Sequence, residues 1–253
     1  MEKICIVSRD KRFAYARELF INCGYECEIC EPFSLKDGDI ILFSPKNNFT
    51  DHELRKMLSD VDHEAIIFTG KKEKVEKHHA GIVLDYSDSE SFLLDNAYIT
   101  AQCAIKLTFE NTDFSLHGKR VLVLGYGRIG KYLSSMLKCL CADVFVYARR
   151  EESQKEASLN GFGICELSEI DKLDFDLIYN TVPFKIVKRE ITDKLRSSAL
   201  IMELASDPGG FYDENIALKA AALPGKLMPQ SAGKAIFDYV ISILSHLKGE
   251  NNL

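Results

Sequence analysis

The chain alternates short apolar runs with longer amphipathic stretches. Residues 3–8 form a strand-like run, and residues 11–23 follow with Phe13, Ala16, Leu19 and Phe20 on one helical face. Runs at 25–31, 39–44, 64–69 and 81–86 read as further strands, and 51–58 as a helix with Thr50 or Asp51 as N-cap. Strands alternating with helices predict βαβ units and a parallel sheet. Residues 93–111 hold neither Gly nor Pro. There Leu94, Tyr98, Ala101, Ile105 and Phe109 recur at spacings of three and four, and Ala97, Ala104 and Leu107 widen the apolar zone. With so few charges this helix is expected to be mostly buried between two domains. A second alternation follows, with strands at 120–124, 143–148, 163–167, 176–182 and 198–205 and helices at 128–140 and 151–159. A last amphipathic stretch, 232–247, places Ile236, Val240, Ile243 or Leu244, and Leu247 on one face.

The predicted fold is α/β: two Rossmann-like doubly wound parallel-sheet domains with a cleft between them. Residues 1–92 form a flavodoxin- or Rossmann-like domain. Residues 93–230 form a second Rossmann domain, preceded by the interdomain helix 93–111. Residues 231–253 form a C-terminal helix expected to pack back across the domain junction.

Composition narrows the chemistry. The net charge of −6 over 253 residues provides no basic field for nucleic acid. No apolar run approaches the roughly 20 residues needed to span a bilayer. The N-terminus runs straight into a strand without a signal-peptide pattern, so a cytoplasmic protein is expected. The eight cysteines are then reduced thiols. Cys27 and Cys30 make a CxxC inside a predicted strand, with no second pair at zinc spacing, and are read as packing. His78 and His79 lie in a Lys/Glu-rich stretch and are expected to be solvated. No metal is expected.

The informative stretch is Val121-Leu122-Val123-Leu124-Gly125-Tyr126-Gly127-Arg128-Ile129-Gly130. A GxGxxG that follows an apolar strand and opens a helix is the context in which the pattern binds a dinucleotide. Gly125 permits the tight turn, Gly127 lets a pyrophosphate approach the main chain, and Gly130 lets the helix lie close to the sheet. The helix N-terminus favours the anion. The alternative is a glycine-rich turn without a ligand.

The end of the next strand separates the two nicotinamide cofactors. An NAD site carries Asp or Glu there for the ribose 2′-hydroxyl. This chain has Ala148, followed by Arg149 and Arg150. Guanidinium groups fork onto a 2′-phosphate, which a carboxylate would repel. NADP(H) is therefore expected, with NAD(H) as the alternative. The competing reading leaves both arginines solvated or paired with Glu151 and Glu152. Loops after the later strands, Asn180-Thr181-Val182-Pro183 and Ala205-Ser206-Asp207-Pro208-Gly209-Gly210, with 223–229 beyond them, are expected to form the nicotinamide and substrate side of the cleft. Their alternative is ordinary loop punctuation.

These segments, with Glu203-Leu204 and Ser231-Ala232-Gly233, resemble the first subunit of dipicolinate synthase over about residues 93–247. So does Asn111-Thr112-Asp113-Phe114-Ser115-Leu116-His117-Gly118 leading into the glycine motif. The resemblance implies a nicotinamide-dependent oxidation of dihydrodipicolinate to dipicolinate in spore-forming bacteria. It also implies a small carboxylate substrate, a flavoprotein-like second subunit and a homo-oligomer. More distantly, the architecture is similar to that of the 2-hydroxyacid dehydrogenases. Alternatives are a nicotinamide-nucleotide-binding regulatory module without turnover, or a dehydrogenase of another small acid.

Departures from the family fall at charged positions. Gln102 stands where the family has Glu, Asp207 where it has Lys or Arg, and Gln230 where it has Lys. Arg12, Thr100, Lys226 and Gln230 are the residues expected to face the substrate, with Lys185 and Lys234 as further carboxylate partners. The 2-hydroxyacid dehydrogenases carry a catalytic His where this chain has Gln230, and Gln cannot shuttle a proton at neutral pH. Oxidising a dihydropyridine is less demanding, because aromatisation drives it. Glu203 sits in the apolar run 200–205, where burial would raise its pKa, so it is the candidate base. Its alternative is a hydrogen-bonded structural carboxylate.

Overall fold

The structure is a computed structural model that describes residues 2–33, 35, 40–195 and 198–250. Two compact units emerge: Met1–Asn96 with Pro224–Leu253, and Ala97–Leu223.

The first unit contains β1 (Lys3–Val7), α1 (Lys11–Asn22), β2 (Glu26–Ile29), β3 (Ile40–Phe43), α2 (Asp51–Leu58), β4 (Ile66–Thr69), α3 (Lys72–Val75) and β5 (Val83–Asp85). Its sheet is wholly parallel in the order β2-β1-β3-β4-β5, the doubly wound order of flavodoxin-like folds. The predicted start of the third strand, Asp39, lies outside the described residues. Side chains alternate across the sheet. Cys5, Val7, Ile41, Phe43 and Ile67 face Leu54, Met57 and Leu58 of α2. Thr50 is the cap of α2: its Oγ1 accepts from the Glu53 N–H at 3.3 Å while Glu53 accepts from the Thr50 N–H at 2.7 Å, a capping box.

The chain runs on through α4 (Glu90–Asn111) into the second unit, which contains β6 (Arg120–Leu124), α5 (Arg128–Cys139), β7 (Asp143–Tyr147), α6 (Glu151–Leu159), β8 (Gly163–Ile164), β9 (Leu177–Asn180), α7 (Arg189–Thr192), β10 (Leu200–Glu203) and β11 (Leu218–Lys219). The strand order is β11-β10-β9-β6-β7-β8, all parallel. Numbered within this unit, that is the 3-2-1-4-5-6 order of dinucleotide-binding domains. Leu122, Leu124, Ile178, Ile201, Phe175 and Phe211 pack one side of the sheet.

α8 (Leu223–Leu227) and α9 (Pro229–Glu250) close the chain. Proline is tolerated where α9 starts because a first-turn N–H has no partner within the helix. The segment expected to be a loop, 223–229, is therefore mostly helical. α9 lies against α1. A Cβ on Gly233 would come 2.4 Å from the Arg12 carbonyl oxygen, so only a glycine permits that approach. Phe237 meets Phe20 edge-on, and Tyr239 packs among Phe68, Tyr86 and Phe92 while its hydroxyl donates to the Asp85 carbonyl at 3.1 Å.

α4 departs from expectation. Ala97, Ala101, Cys103, Ala104 and Thr108 are buried, but Leu94, Tyr98 and Phe109 are exposed. Periodicity identified an apolar face; its alanines turn inward, where they allow close packing beside the buried Phe92 and Ile99, while Leu94, Tyr98 and Phe109 turn out.

Candidate dinucleotide site

β6 and β9 are neighbours with Leu124 opposite Asn180. After β6 the chain moves outward to β7 and β8, then returns to build β9, β10 and β11 on the other side. Open parallel sheets receive ligands at such a reversal of strand order, outside the strand ends. Gly125, Tyr126 and Gly127 from one loop and Thr181, Val182 and Pro183 from the other line a groove there of about 240 Å³, shared with Ala148, Arg149 and Arg150.

The three glycines answer to different constraints. Gly125 has φ +101°, and a Cβ there would lie 2.4 Å from Thr181 Oγ1. Its N–H donates to the Tyr147 carbonyl at 2.8 Å, and Thr181 Oγ1 donates to the Leu124 carbonyl at 2.9 Å. A Cβ on Gly130 would lie 2.1 Å from the Gly125 carbonyl oxygen, so this glycine closes the turn on itself. Gly127 differs: a Cβ there would meet nothing within 4 Å. It is the N-cap of α5 and offers no capping side chain, and Arg128, Ile129 and Gly130 form the first turn. A positive helix end beside open space suits a diphosphate. Tyr126 packs the turn from behind, with its ring against Phe162 and its hydroxyl accepting from Asn160 at 3.0 Å.

Ala148 is buried immediately after β7, and its carbonyl accepts from Gln154 at 2.8 Å. Arg149 and Arg150 are exposed at the groove. Neither pairs with Glu151 or Glu152 among the described residues. No carboxylate is among the residues lining this groove.

Asn180 is fully buried and ties two loops together. Its Nδ2 donates to the Val182 carbonyl at 2.9 Å and to Glu203 Oε1 at 2.6 Å, while its Oδ1 accepts from the Val182 N–H at 3.1 Å. Glu203 also accepts from the Ala205 N–H at 3.1 Å and the Gly210 N–H at 2.7 Å. Three donors therefore hold this carboxylate, which fastens the turn carrying Ala205, Ser206 and the cis Asp207–Pro208 bond. Ala205 and Glu203 border a second cavity with Lys185, Glu214 and Lys219, rather than the groove. Glu214 bridges the two lysines at 3.1 and 3.0 Å. Hydrogen bonds from Lys219 and Lys185 hold the Glu214 carboxyl below the usual carboxylate range.

The residues expected to face substrate fall in both units. Thr100 is buried on α4 in the second unit. Arg12, Lys226 and Gln230 belong to the first. Arg12 is buried, and its guanidinium donates to Asp10 Oδ2 at 2.6 and 3.0 Å. Asp10 also caps α1 through the Arg12 N–H at 3.0 Å. Burial alone would raise the Asp10 pKa, but hydrogen bonds from the Arg12 side chain and backbone, with its charge, hold it below the usual value. Gly225 faces this pair closely: a Cβ would lie 3.0 Å from Arg12 Nε. Lys226 and Gln230 are exposed. Lys234 pairs with Asp238 of its own helix.

Sequence reasoning missed Phe184 and Ile186 in the groove wall. The signal was an exposed aromatic directly after Pro183. It also placed His79 in solvent, whereas His79 is buried with Nε2 against the Ala65 carbonyl at 2.9 Å. None of the eight cysteines forms a disulfide. Cys5, Glu28 and Cys30 each bring one donor atom within 4.8 Å of the others, while Lys3 pairs with Glu28 at 2.8 Å.

The sheet order, the glycine turn and its open groove define a nicotinamide-dinucleotide-binding Rossmann domain. The comparisons with known proteins sharpen this. The chain belongs to the family of the S-adenosyl-L-homocysteine hydrolase NAD-binding domain, which matches residues 96–227, just over half of it. It is 31% identical over 172 residues to the first subunit of dipicolinate synthase of Bacillus subtilis (strain 168), covering 64% of this chain and 58% of that protein. The aligned stretch thus spans somewhat less than two thirds of that relative. The solved structure of the corresponding subunit from Bacillus halodurans shares the fold, with a TM-score of 0.81 at 20% identity over 96% of this chain and 98% of that chain. D-lactate dehydrogenase from Escherichia coli is a more distant fold relative, with a TM-score of 0.66 at 11% identity over 98% of each chain. The expected resemblance to the first subunit of dipicolinate synthase is borne out, as is the expected α/β class with two parallel-sheet domains. No described helix is long and apolar enough to cross a membrane.

Proposed function

We propose that the protein is an NADP(H)-dependent oxidoreductase that oxidises a small cyclic carboxylate, with dihydrodipicolinate as substrate. The cofactor half of this reading rests on one observation: an uncapped glycine turn opens on a groove whose far end carries Arg149 and Arg150 and no carboxylate. Gly125 to Gly130 would hold the diphosphate, the two arginines the 2′-phosphate, and Thr181, Val182 and Pro183 the nicotinamide side. When bound, the oxidised nicotinamide supplies a hydride acceptor.

The chain's own contribution is orientation. Asn180 and Glu203 hold both loops at the ends of β9 and β10, so Glu203 acts as a positioning residue. The buried Arg12 guanidinium, fixed by Asp10, is a preformed partner for a carboxylate, and Lys226, Gln230 and Thr100 are the other residues assigned to the substrate. The substrate half is supported by the similarity to the first subunit of dipicolinate synthase. The same reading includes a flavoprotein-like second subunit and a cytoplasmic role in sporulation.

The test is direct. The protein is mixed with NADP⁺ and freshly made dihydrodipicolinate, and reduced nicotinamide is followed by absorbance. Turnover supports the proposal. NADPH binding without turnover supports the regulatory-module reading instead, which the three donors already occupying Glu203 favour. Turnover with another acid alone would redirect the substrate.

A further inference from the structure

The first unit holds a cluster of soft donors that the dinucleotide reading leaves unused. Cys5 lies on β1 opposite Glu28 of β2. Cys30 stands two residues beyond Glu28, and its N–H donates to the Ile6 carbonyl at 2.8 Å, so the ladder runs on through it. Side chains two apart on a strand share a face. Cys5, Glu28 and Cys30 therefore meet on one face of the two strands, each with a donor atom within 4.8 Å of the others. Among the described residues no other group of three His, Cys, Asp or Glu side chains converges this closely. The CxxC of the sequence is not itself a chelate: Cys27 and Cys30 are three apart, so their thiols point to opposite faces.

The distances suit a tetrahedral ion. Bonds of about 2.3 Å to sulfur and about 2.1 Å to oxygen place two sulfurs about 3.8 Å apart, and a sulfur and an oxygen about 3.6 Å apart. Cys5 Sγ already lies 3.9 Å from Glu28 Oε1. No pair has to close by more than about 1.2 Å, which side-chain rotation supplies.

Charge and burial agree. Two thiolates and a carboxylate carry one negative charge more than a divalent ion neutralises. The Lys3 ammonium, 2.8 Å from Glu28 Oε1, supplies the balance, and Glu28 has a second oxygen for the ion. Glu26, opposite Lys3 in the ladder, is the other charged group on this face of the two strands. Cys5 is fully buried beside Val7 and Ile41, and Glu28 is exposed. The apolar floor keeps water from the thiolates, while the exposed side gives an ion its way in. Burial raises the Cys5 thiol and pushes the Cys30 thiol up to about 12. Thiols so desolvated are poor nucleophiles and slow to oxidise, whereas a thiophilic cation replaces their protons, releasing both to solvent.

We propose that Cys5, Glu28 and Cys30 form a binding site for a thiophilic divalent cation, zinc(II), with a fourth position open to solvent. Thiolates select such an ion over magnesium or calcium, which take oxygen ligands. All three residues belong to the first unit, and the proposal is independent of the dinucleotide.

Cobalt(II) titration of the full chain, reduced and stripped with a chelator, tests it. The expected result is one cobalt per chain, with a thiolate-to-cobalt charge-transfer band of two-thiolate intensity that zinc displaces, and a rise in Tm with zinc. Losing even an outer partner of a bound metal weakens it about 10–100-fold. Cys30→Ala should therefore halve the band and weaken zinc by more than about a hundredfold. Glu28→Gln, at an exposed position, should keep the two-thiolate band at saturation and weaken zinc at least about tenfold. Cys27→Ala should bind like wild type, as should a variant with the exposed Cys23, Cys139 and Cys141 replaced by Ser. A reduced chain without a thiolate band overturns the proposal. So does a band that survives Cys30→Ala undiminished, or one that vanishes when the exposed cysteines are replaced. A reduced chain that binds no cobalt, yet joins Cys5 to Cys30 on oxidation, overturns it in favour of a redox pair.

Discussion

Gly127 and Gly125 stand two residues apart in one turn and should respond oppositely to the same substitution. Gly127→Ala adds a methyl group where nothing lies within 4 Å, at φ −87°, a value open to any residue. Two small effects on stability oppose each other: a stiffer unfolded chain stabilises by about 0.4–1 kcal/mol, and alanine is a poorer N-cap than glycine. The net change should stay within about 1 kcal/mol, a shift in Tm of no more than roughly 2–4 °C for a chain this long. The same methyl occupies the space in which a diphosphate would meet the main chain. Losing one charge-assisted hydrogen bond there is worth about 1.5–3 kcal/mol, or roughly ten- to a hundredfold in Kd. Gly125→Ala must instead hold alanine at φ +101° and push aside Thr181 Oγ1, which bonds the Leu124 carbonyl. Backbone strain of that kind costs about 1–3 kcal/mol before the lost hydrogen bond is added. Calorimetric titration with NADPH and NADH, beside thermal unfolding without ligand, separates the two effects. The expected result is a Gly127→Ala protein that melts like wild type and binds dinucleotide at least tenfold more weakly, and a Gly125→Ala protein that melts several degrees lower. If Gly127→Ala, fully folded, bound NADPH with wild-type affinity, the diphosphate would not lie in this turn and the cofactor assignment would fall with it.

Arg149→Asp should weaken NADPH by about tenfold or more and spare or improve NADH, since one charged hydrogen bond is worth about 1.5–3 kcal/mol; equal effects on both in paired titrations would remove the 2′-phosphate assignment. Glu203→Gln replaces an acceptor oxygen with a donor facing Asn180, Ala205 or Gly210, at a cost of about 1–3 kcal/mol. It should lower Tm while leaving the shape of the pH–rate profile unchanged, and an unaltered Tm with lost turnover would make Glu203 the base instead. Asp10 has a folded pKa below its unfolded value, so its stabilising contribution is present above the unfolded pKa near 4 and lost as pH falls through the folded value. Asp10→Asn keeps the helix cap but should lower Tm at pH 7 and flatten the acid limb of the stability curve; an unchanged acid limb in pH-jump unfolding would show that the Arg12 pair contributes nothing there.

The sheets were readable because their strands are buried on both faces and so appear as continuous apolar runs, such as Val121 to Leu124. The glycine turn was readable because its constraint is local: strand, turn and helix follow one another without interruption. What escaped was set by distant partners. β11 has two residues, both exposed, and exists through pairing with Met202 and Glu203. His79 looked solvated among lysines and glutamates, yet the chain folds it inward onto the Ala65 carbonyl. For α4, periodicity gives the angular spread of apolar residues but not which part of the arc faces the domain, so Tyr98 and Phe109 looked like core.

The glycine pair 209–210 shows how the two kinds of information join. In sequence it belongs to a loop expected on the nicotinamide and substrate side of the cleft, with ordinary loop punctuation as the alternative. In the structure, a Cβ on Gly209, at φ +72°, would lie 2.7 Å from Glu203 Oε2, and one on Gly210 would lie 2.5 Å from the Asn180 side chain. The loop is therefore shaped around the Glu203 carboxylate and Asn180 amide, and both glycines are needed because those two polar groups are paired so tightly. An acid that must take up a proton during turnover needs room to exchange hydrogen-bond partners. This one borders a cavity, but its oxygens already take three donors and two glycines beside it admit no side chain, which argues that its role is to hold the ends of β9 and β10 in register with the groove.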